Sequence, residues 1–575
     1  MTTPPEMTPI PRRWRVQPKI PRDVDVALRE FSPFMRQLLY NRGLIDPTAA
    51  AGFVAGTTHF PTDPFLLKDM DLAVARLHTA VTIGERIAIY GDYDADGVTA
   101  TALMYEFLVK LGVEPRAYIP NRYDEGYGLN DDALQALAAE GVDLVITVDC
   151  GVRSLPEVAL AVELGMALII TDHHAPGREL PEAAAVINPK QPGDTYPDKH
   201  LAGVGLAYKL AEAYFQTYPQ PGVDPAGWLD LVAIGTVADL APLTGENRTL
   251  VKAGIERIRR EPRQGLYALG QVAGINLGAC DSSTIGFGLG PRLNAAGRID
   301  TAMNAFELLT ATEYQRAGEL AQLLDSQNSQ RQEETHLIRE QAAARVLEQD
   351  PDALLFFAAD PEFSPGVVGL AASRLAETYY RPAIVAHQGE TFTVGSCRSI
   401  PEFHITRALD ECAELLVRHG GHAAAAGFTV CNERVPELIE QLMAIAVREL
   451  SEVPLEPMID IDREIKLDKL NARFVSGIFN DLHQLEPTGR SNPEPVFASY
   501  NVAVRHARVV GREGKHLKLT LQAGGSIYDA IAFQQGHWLA DMPDRIDIAY
   551  RFEENRYMGR VTTQLNVKDM RVAAD

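Results

Sequence analysis

The sequence is short of cysteine. It has five in 575 residues (Cys150, Cys280, Cys397, Cys412 and Cys431), and no two are spaced as Cys-x-x-Cys. That excludes a disulfide scaffold and a structural zinc site, and it fits a reducing, cytoplasmic setting. No apolar run reaches about 18 residues, so no membrane-spanning helix is predicted. The first residues, MTTPPEMTPIPRRWRVQ, lack the apolar core of a secretory signal. There is no internal repeat and no low-complexity stretch. Nor is there a surplus of positive charge: 54 Lys and Arg stand against 77 Asp and Glu, a net charge of -23. That is the wrong sign for holding nucleic acid by bulk electrostatics. Net charge describes a whole surface, however, and not one site.

What is present is a globular composition, with 46% hydrophobic and 23% charged residues. At about 150 residues per domain, three or four domains are expected. Residues 1–65 read as a polar, Pro-rich lead and a short helical stretch, ended by the breaker cluster TTHFPTDP at 57–64. From 66 to 304, β-rich runs at 86–90, 142–148 and 166–171 alternate with helical runs at 98–111, 131–140 and 155–164. That alternation predicts βαβ units around a mostly parallel sheet. A Gln-, Glu- and Ala-rich helical pattern fills 305–350, either one connecting helix or two with a short turn. A smaller α/β unit follows at 351–454, with strands at 353–359, 382–386 and 392–396 and helices at 366–380 and 404–417. The remainder, 455–575, holds alternating strands that suggest a small β-barrel.

The sharpest local feature is GDYDADG (91–97). Its carboxylates, Asp92, Asp94 and Asp96, repel one another unless a cation sits among them. An EF-hand loop is excluded, because its twelfth position is Leu103 and a strand precedes it. An acidic turn in solvent is the plain alternative. Two further strands also end in such groups, the second in Asp149 and the third in Asp172-His173-His174. Open parallel sheets collect functional groups beyond the carboxyl ends of their strands. A fourth element, Leu231 to Leu243, places Asp239 in an apolar stretch, where a lone carboxylate is costly unless paired or metal-bound. Asp94, Asp96, Asp149, His173 and Asp239 form a hard oxygen and nitrogen donor set. It suits two Mn²⁺ or Mg²⁺ ions better than zinc or copper. Such a pair clamps a phosphoryl displacement, with Asp149 as the expected bridge. Asp92 joins them as a catalytic carboxylate, not as a ligand. His174 is either a ligand to the other ion or a proton donor to the leaving oxygen.

GDYDADG, ITVDCG (146–151), TDHHAPG (171–177) and GTVADLAPL (235–243) together resemble the four motifs of the DHH phosphoesterases. GPRLNAAGR (290–298), SPGVVG (364–369), GSCRS (395–399) and GGHAAAAG (420–427) resemble the later motifs of the bacterial RecJ family. Eight motifs in order, across nearly the whole chain, are specific. The resemblance implies a DHH domain and a DHHA1 domain joined by a long helix, then an OB-like barrel. It implies a single-strand-specific 5′→3′ DNA exonuclease that releases 5′-mononucleotides with two divalent cations. Arg122, Ser396, Arg398, Gly420, Gly421 and His422 would hold the 5′-phosphate and the scissile region. Arg298 is a further phosphate candidate, though Arg292, Asn294 and Arg298 could instead pin the interdomain helix. Cys397 stands where the family pattern has Gly, placing a small thiol beside that pocket.

In the barrel, Tyr500, Tyr528, Phe533 and Trp538 are candidates for stacking on bases. Residues 501–575 carry 11 Lys and Arg against 9 Asp and Glu, so the basic balance lies there. A shallow salt dependence of single-strand binding follows from so few placed cations. The resemblance also implies roles in DNA repair and recombination, with a single-strand-binding protein and a RecQ-type helicase as partners of a monomer. Two other readings stand beside it. One is a DHH phosphoesterase of short oligonucleotides or cyclic dinucleotides. The other is a binding protein without catalysis, against which the filled ligand positions argue.

Overall fold

The structure is a computed structural model. It describes residues 10–57, 62–122, 125–511, 514–557 and 560–573. The N-terminal lead before residue 10 and half of the breaker cluster, 58–61, lie outside the described residues. The chain divides into two compact units, one within His59–Glu456 and the other formed by Pro11–Thr58 with Pro457–Asp575.

The first unit opens on a five-stranded sheet. Its order is Arg116–Tyr118, Ile87–Gly91, Leu144–Val148, Ala167–Thr171 and Ala185–Ile187, and every pair is parallel. Ile87–Gly91 and Leu144–Val148 are buried at every position. Apolar residues therefore run without alternation, as a sheet covered on both faces requires. The crossover helices form where the spacing predicts: Ala95–Lys110, Asp131–Ala139 and Leu155–Glu163. Asp94 and Asn130 cap the first two by accepting hydrogen bonds from first-turn amides.

The connecting pattern at 305–350 resolves into two helices of unequal length. Met303–Thr310 is short, and Tyr314–Gln349 runs for 36 residues, about 54 Å at 1.5 Å per residue. Ala311 and Glu313 take extended backbone between them. The long helix thus begins at 314, not at 305.

The same unit continues into a second five-stranded sheet. Its order is Leu416–His422, Ala425–Cys431, Phe392–Arg398, Ala383–Gln388 and Phe356–Asp360. The helix expected at 404–417 ends at Glu411, and Leu416 already begins a strand. Leu415, Leu416 and Val417 extend the apolar pattern, but Gly420 and Gly421 follow and Ala425–Cys431 pairs with the segment. Strand pairing overrides local helical preference here.

In the second unit, five strands close into a barrel: Phe497–Val510, His516–Ala523, Ser526–Ala532, Arg545–Tyr557 and Arg560–Val572. The first pairs with both the second and the fourth, and the fifth pairs with the third and the fourth. Residues 11–57 do not stand alone. Arg13–Val16 pairs in parallel with Met458–Ile461. Leu28, Phe34, Met35 and Leu38 share one core with Phe497, Leu519 and Tyr550. Among the candidate stacking residues, Tyr528 is buried and donates its hydroxyl to the Leu467 carbonyl at 2.8 Å. Trp538 packs against the barrel core. Tyr500 and Phe533 are exposed.

Candidate active site

Sheet order places the site. The chain leaves strand Ile87–Gly91 for Arg116–Tyr118 on one side and then returns to Leu144–Val148 on the other. The carboxyl ends of these strands flank the topological switch point, where open α/β sheets bind ligands. Asp92 follows one end and Asp149 the other. Asp172, His173 and His174 follow the next strand. Asp239 arrives differently, as the C-cap of helix Leu229–Ala238.

These side chains converge. Three groups each hold donor atoms within 4.8 Å of one another: Asp149 with His173 and His174, Asp96 with His173 and Asp239, and Asp92 with Asp94 and Asp149. His173 Nε2 lies 3.1 Å from Asp149 Oδ1, and 3.9 Å from both Asp96 Oδ2 and Asp239 Oδ2. Burial, with the charge of His174 beside it, lowers the His173 pKa to about 3, so its ring is neutral. The ring's hydrogen bond goes to the Leu201 backbone. Nε2 therefore presents a lone pair to a carboxylate oxygen. That nitrogen, Asp149 Oδ1 and Asp92 Oδ1 are all buried without a hydrogen-bond partner. Unpaired buried acceptors are costly, and a cation between them removes the cost.

The carboxylates carry the same strain. Burial, reinforced by neighbouring aspartates, raises Asp92, Asp96 and Asp149 well above the ordinary carboxylate range. The backbone nonetheless holds them in place. Asp94 Oδ1 accepts the Asp96 and Gly97 amides at 2.8 and 3.1 Å. Asp96 accepts the Gly203 and Val204 amides at 2.7 and 2.9 Å, at the start of helix Gly203–Thr217. Asn294 Oδ1 accepts the Ala95 amide at 2.8 Å and pins the acidic loop.

His174 differs from His173. Its Nδ1 lies 2.8 Å from Asp172 Oδ1 and 3.2 Å from the Tyr127 hydroxyl. Burial opposes its charged form, but the Asp172 hydrogen bond outweighs this and raises its pKa. Asp172 is lowered in turn, because the His174 bond and charge overcome its burial. Asp172 and Tyr127 had no assigned role in the sequence reading. Asp172 carries a signal in its strand-end triplet, whereas Tyr127 carries none. Asp92 was read as catalytic but not as a ligand, and its oxygen sits among the donors.

The second lobe of the unit supplies the anion-binding candidates. Across its sheet, Arg398 pairs with Ala425, and Ala425 pairs with His422. Ser396, Gly427 and Gly420 align in the same way, so two glycines leave a trough beside Ser396. A Cβ on Gly369, at the start of helix Val368–Tyr379, would come 2.8 Å from Ser396 Oγ and 3.3 Å from Arg398 Nη2. Arg298 donates to the Gly366 carbonyl at 3.0 Å. Burial and the charges of Arg122 and Arg331 lower its pKa to about 10. Burial lowers Arg398 as well, and Arg122 adds to the shift. Arg122 lies 4.8 Å over the Tyr93 ring. Thus Arg122 lies near Asp92 and Arg298 near Asp94, with Arg398 next to Arg122. Arg292 instead pins the long helix, at 2.8 Å from Asp325. Cys397 is fully buried in the apolar core, alternating away from Ser396 and Arg398. Burial pushes its thiol up to about 12, so it neither shapes the pocket nor offers a reactive thiolate.

Comparison with known proteins agrees with this geometry. Residues 86–236 match the DHH family N-terminal domain, 352–448 the DHHA1 domain and 461–569 the RecJ OB domain. The chain is 38% identical over 568 residues to the single-stranded-DNA-specific exonuclease RecJ of Bacillus subtilis, covering 98% of this chain and 71% of that one. It is 34% identical over 575 residues to the Escherichia coli protein of the same name, covering 94% and 96%. The crystal structure of RecJ in complex with Mn²⁺ from Thermus thermophilus superimposes with a TM-score of 0.82 at 31% identity, covering 98% of this chain and 80% of that one.

Proposed function

The chain belongs to the RecJ family of DHH phosphoesterases, and from that membership we infer that it is a single-stranded-DNA-specific 5′→3′ exonuclease using two divalent cations, Mn²⁺ or Mg²⁺. The observation that carries the reading is the pair of unpartnered acceptors, Asp149 Oδ1 and His173 Nε2, 3.1 Å apart between two carboxylate groups. Asp96, His173 and Asp239 would hold one ion and Asp92 and Asp94 the other, with Asp149 shared. Bound there, the ions lower the pKa of an attacking water and neutralise charge on the scissile phosphate.

The chain's own groups do the rest. Asp96 is fixed by two helix amides, so its position does not drift with solvent. His174, oriented by Asp172 at 2.8 Å, has its protonated form favoured by that bond and delivers a proton to the leaving oxygen. Arg122, Arg298, Ser396 and Arg398 hold phosphate by charge and bidentate donation. Gly420, Gly421 and His422 lie on the exposed hairpin strand that completes this wall. The wider setting is DNA repair and recombination in the cytoplasm, as a monomer working with a single-strand-binding protein and a RecQ-type helicase. Among the described residues no helix is long and apolar enough to cross a membrane.

An end-labelled time course tests the reading. Label at the 5′ end is expected to appear at once as mononucleotide, while 3′-labelled strands shorten gradually, and chelator abolishes both. Immediate mononucleotide from the 3′ label would refute the polarity. Preference for a dinucleotide over a 40-mer would point to a small-substrate phosphoesterase.

Metal binding should also be visible without turnover. In the metal-free fold the Asp92, Asp96 and Asp149 pKa values lie above their unfolded values. Their contribution to stability is therefore complete below the ordinary carboxylate range and is lost as pH rises through the folded values. Cations need the deprotonated forms, so they act where that loss is greatest. Mn²⁺ at 100-fold over its Kd stabilises by about 2.7 kcal/mol. The rise in melting temperature is expected to be clear at pH 8 and small at pH 5. Equal rises at both pH values would count against the cage.

A further inference from the structure

The arginines near the site do not stop at the phosphate wall. Arg122 and Arg331 are both close enough to Arg298 for their charges to lower its pKa. Arg331 in turn has Arg374 and Arg292 as its charged neighbours. Arg331 sits midway along the helix Tyr314–Gln349. Before it, Asp325 binds Arg292 of helix Gly290–Ile299. After it, Ile338, Ala342 and Val346 pack with Val368, Ala371 and Leu375 of helix Val368–Tyr379. Arg331 therefore occupies the span where the long helix passes from one lobe of the unit to the other.

Its bonding is incomplete. One terminal nitrogen donates to Asn328 Oδ1 at 2.7 Å, but Nε is buried without a partner. Burial and two neighbouring cations all act to lower its pKa. Arg292 is already neutralised by Asp325 at 2.8 Å, and among the described residues Arg374 pairs with the exposed Glu377 at 3.0 Å. A helix arginine usually points its whole head into solvent. This one keeps a buried, unpartnered donor with Arg374 and Arg292 as its charged neighbours, a layout an anion would stabilise.

We propose that Arg331 and Arg374 form a second phosphate subsite, which takes an internal phosphodiester of the strand whose reacting end lies at the carboxylates. This rests on the exonuclease reading above. The subsite continues the row from Arg122 through Arg298 along the long helix. It reads charge and not bases, since guanidinium forks on phosphate carry no sequence information. It also gives a polymer a contact that a dinucleotide is too short to make.

Binding of fluorescent single strands by the Mn²⁺-loaded full chain tests this, with phosphorothioate linkages to block cleavage. For a 12-mer, Arg331→Gln is expected to weaken binding about tenfold. It should also lower the slope of log affinity against log salt by about 0.7, the share of one single-strand phosphate. A dinucleotide should bind it as it binds the unaltered chain. Arg331→Lys keeps the charge and should recover the slope, which separates loss of a contact from loss of fold. An unchanged slope with the 12-mer, or equal weakening for both lengths, overturns the subsite. The two proposals fail separately. Arg331-dependent binding without mononucleotide release would sink the exonuclease reading alone, and release with no Arg331 effect would sink the subsite alone.

Discussion

Replacing Asp149 with alanine is expected to reduce mononucleotide release from a 5′-phosphorylated strand by about 10³-fold or more. The Lewis-acid work of a bound ion is worth several kcal/mol, and each 1.36 kcal/mol is tenfold in rate. Among the described residues Asp149 is the one carboxylate found in two of the three donor groups, with His173 and His174 and again with Asp92 and Asp94, and it lies 3.1 Å from His173 of the third. Its backbone is held at φ 64°, an uncommon conformation for a side-chain-bearing residue. Strain of that kind persists where the surrounding structure over-determines it. Stability should move the other way. In the metal-free chain, Asp149 is a fully buried carboxylate pressed against others. Its removal should raise the metal-free melting temperature at pH 8 while erasing most of the rise that Mn²⁺ produces. A variant that keeps the wild-type rate would refute the shared-ligand role. A variant that melts far lower without metal would mean that the carboxylate is structural.

Much of the site was legible because each strand carries its own chemistry at its end. Asp92, Asp149 and the Asp172–His174 triplet follow runs of apolar residues too short and too β-branched to be helices. That placement depends only on local pattern and on where open sheets bind ligands. Asp239 was found for a different reason, as a carboxylate in an apolar stretch, although it ends a helix and not a strand. What escaped the sequence depends on contacts distant along the chain. Asn294 reaches the Ala95 amide across 199 positions, and no spacing rule connects them. The partnership of residues 11–57 with the barrel is similar, since the Phe34 and Phe497 rings pack 5.4 Å apart, tilted by 32°, within one core. Leu416 and Val417, the first residues of the strand Leu416–His422, fit the end of a helix at 404–417 because apolar residues there suit both periods, and only the partner strand decides. Cys397 looked like a pocket residue by adjacency alone, but strand alternation turns it to the opposite face from Ser396 and Arg398.

Gly203 belongs to the contacts that no motif announces, and it sets the second large effect. Its amide holds Asp96 Oδ2 at 2.7 Å. A Cβ built on it would lie 2.7 Å from both Cβ and Oδ1 of Asp149, closer than real atoms approach. Gly203→Ala therefore pushes the shared carboxylate off its position, and the hydrogen bond to Asp96 keeps the helix start from retreating. A displacement of about 1 Å is enough to lower the rate about 10²-fold. Overpacking should cost about 1–3 kcal/mol of stability, partly offset by the better helix propensity of alanine, about 1 kcal/mol. Gly205 is the control two residues on. A Cβ there meets only Leu201, at 3.6 and 3.7 Å, which is ordinary contact. Gly205→Ala should keep both rate and melting temperature near the unaltered values. The comparison isolates geometry at the carboxylate from any general effect of removing glycine in this helix. Equal losses in the two variants would assign the effect to the helix. A fully active Gly203→Ala would mean that Asp149 has room to move, and that its position is set by something other than the wall behind it.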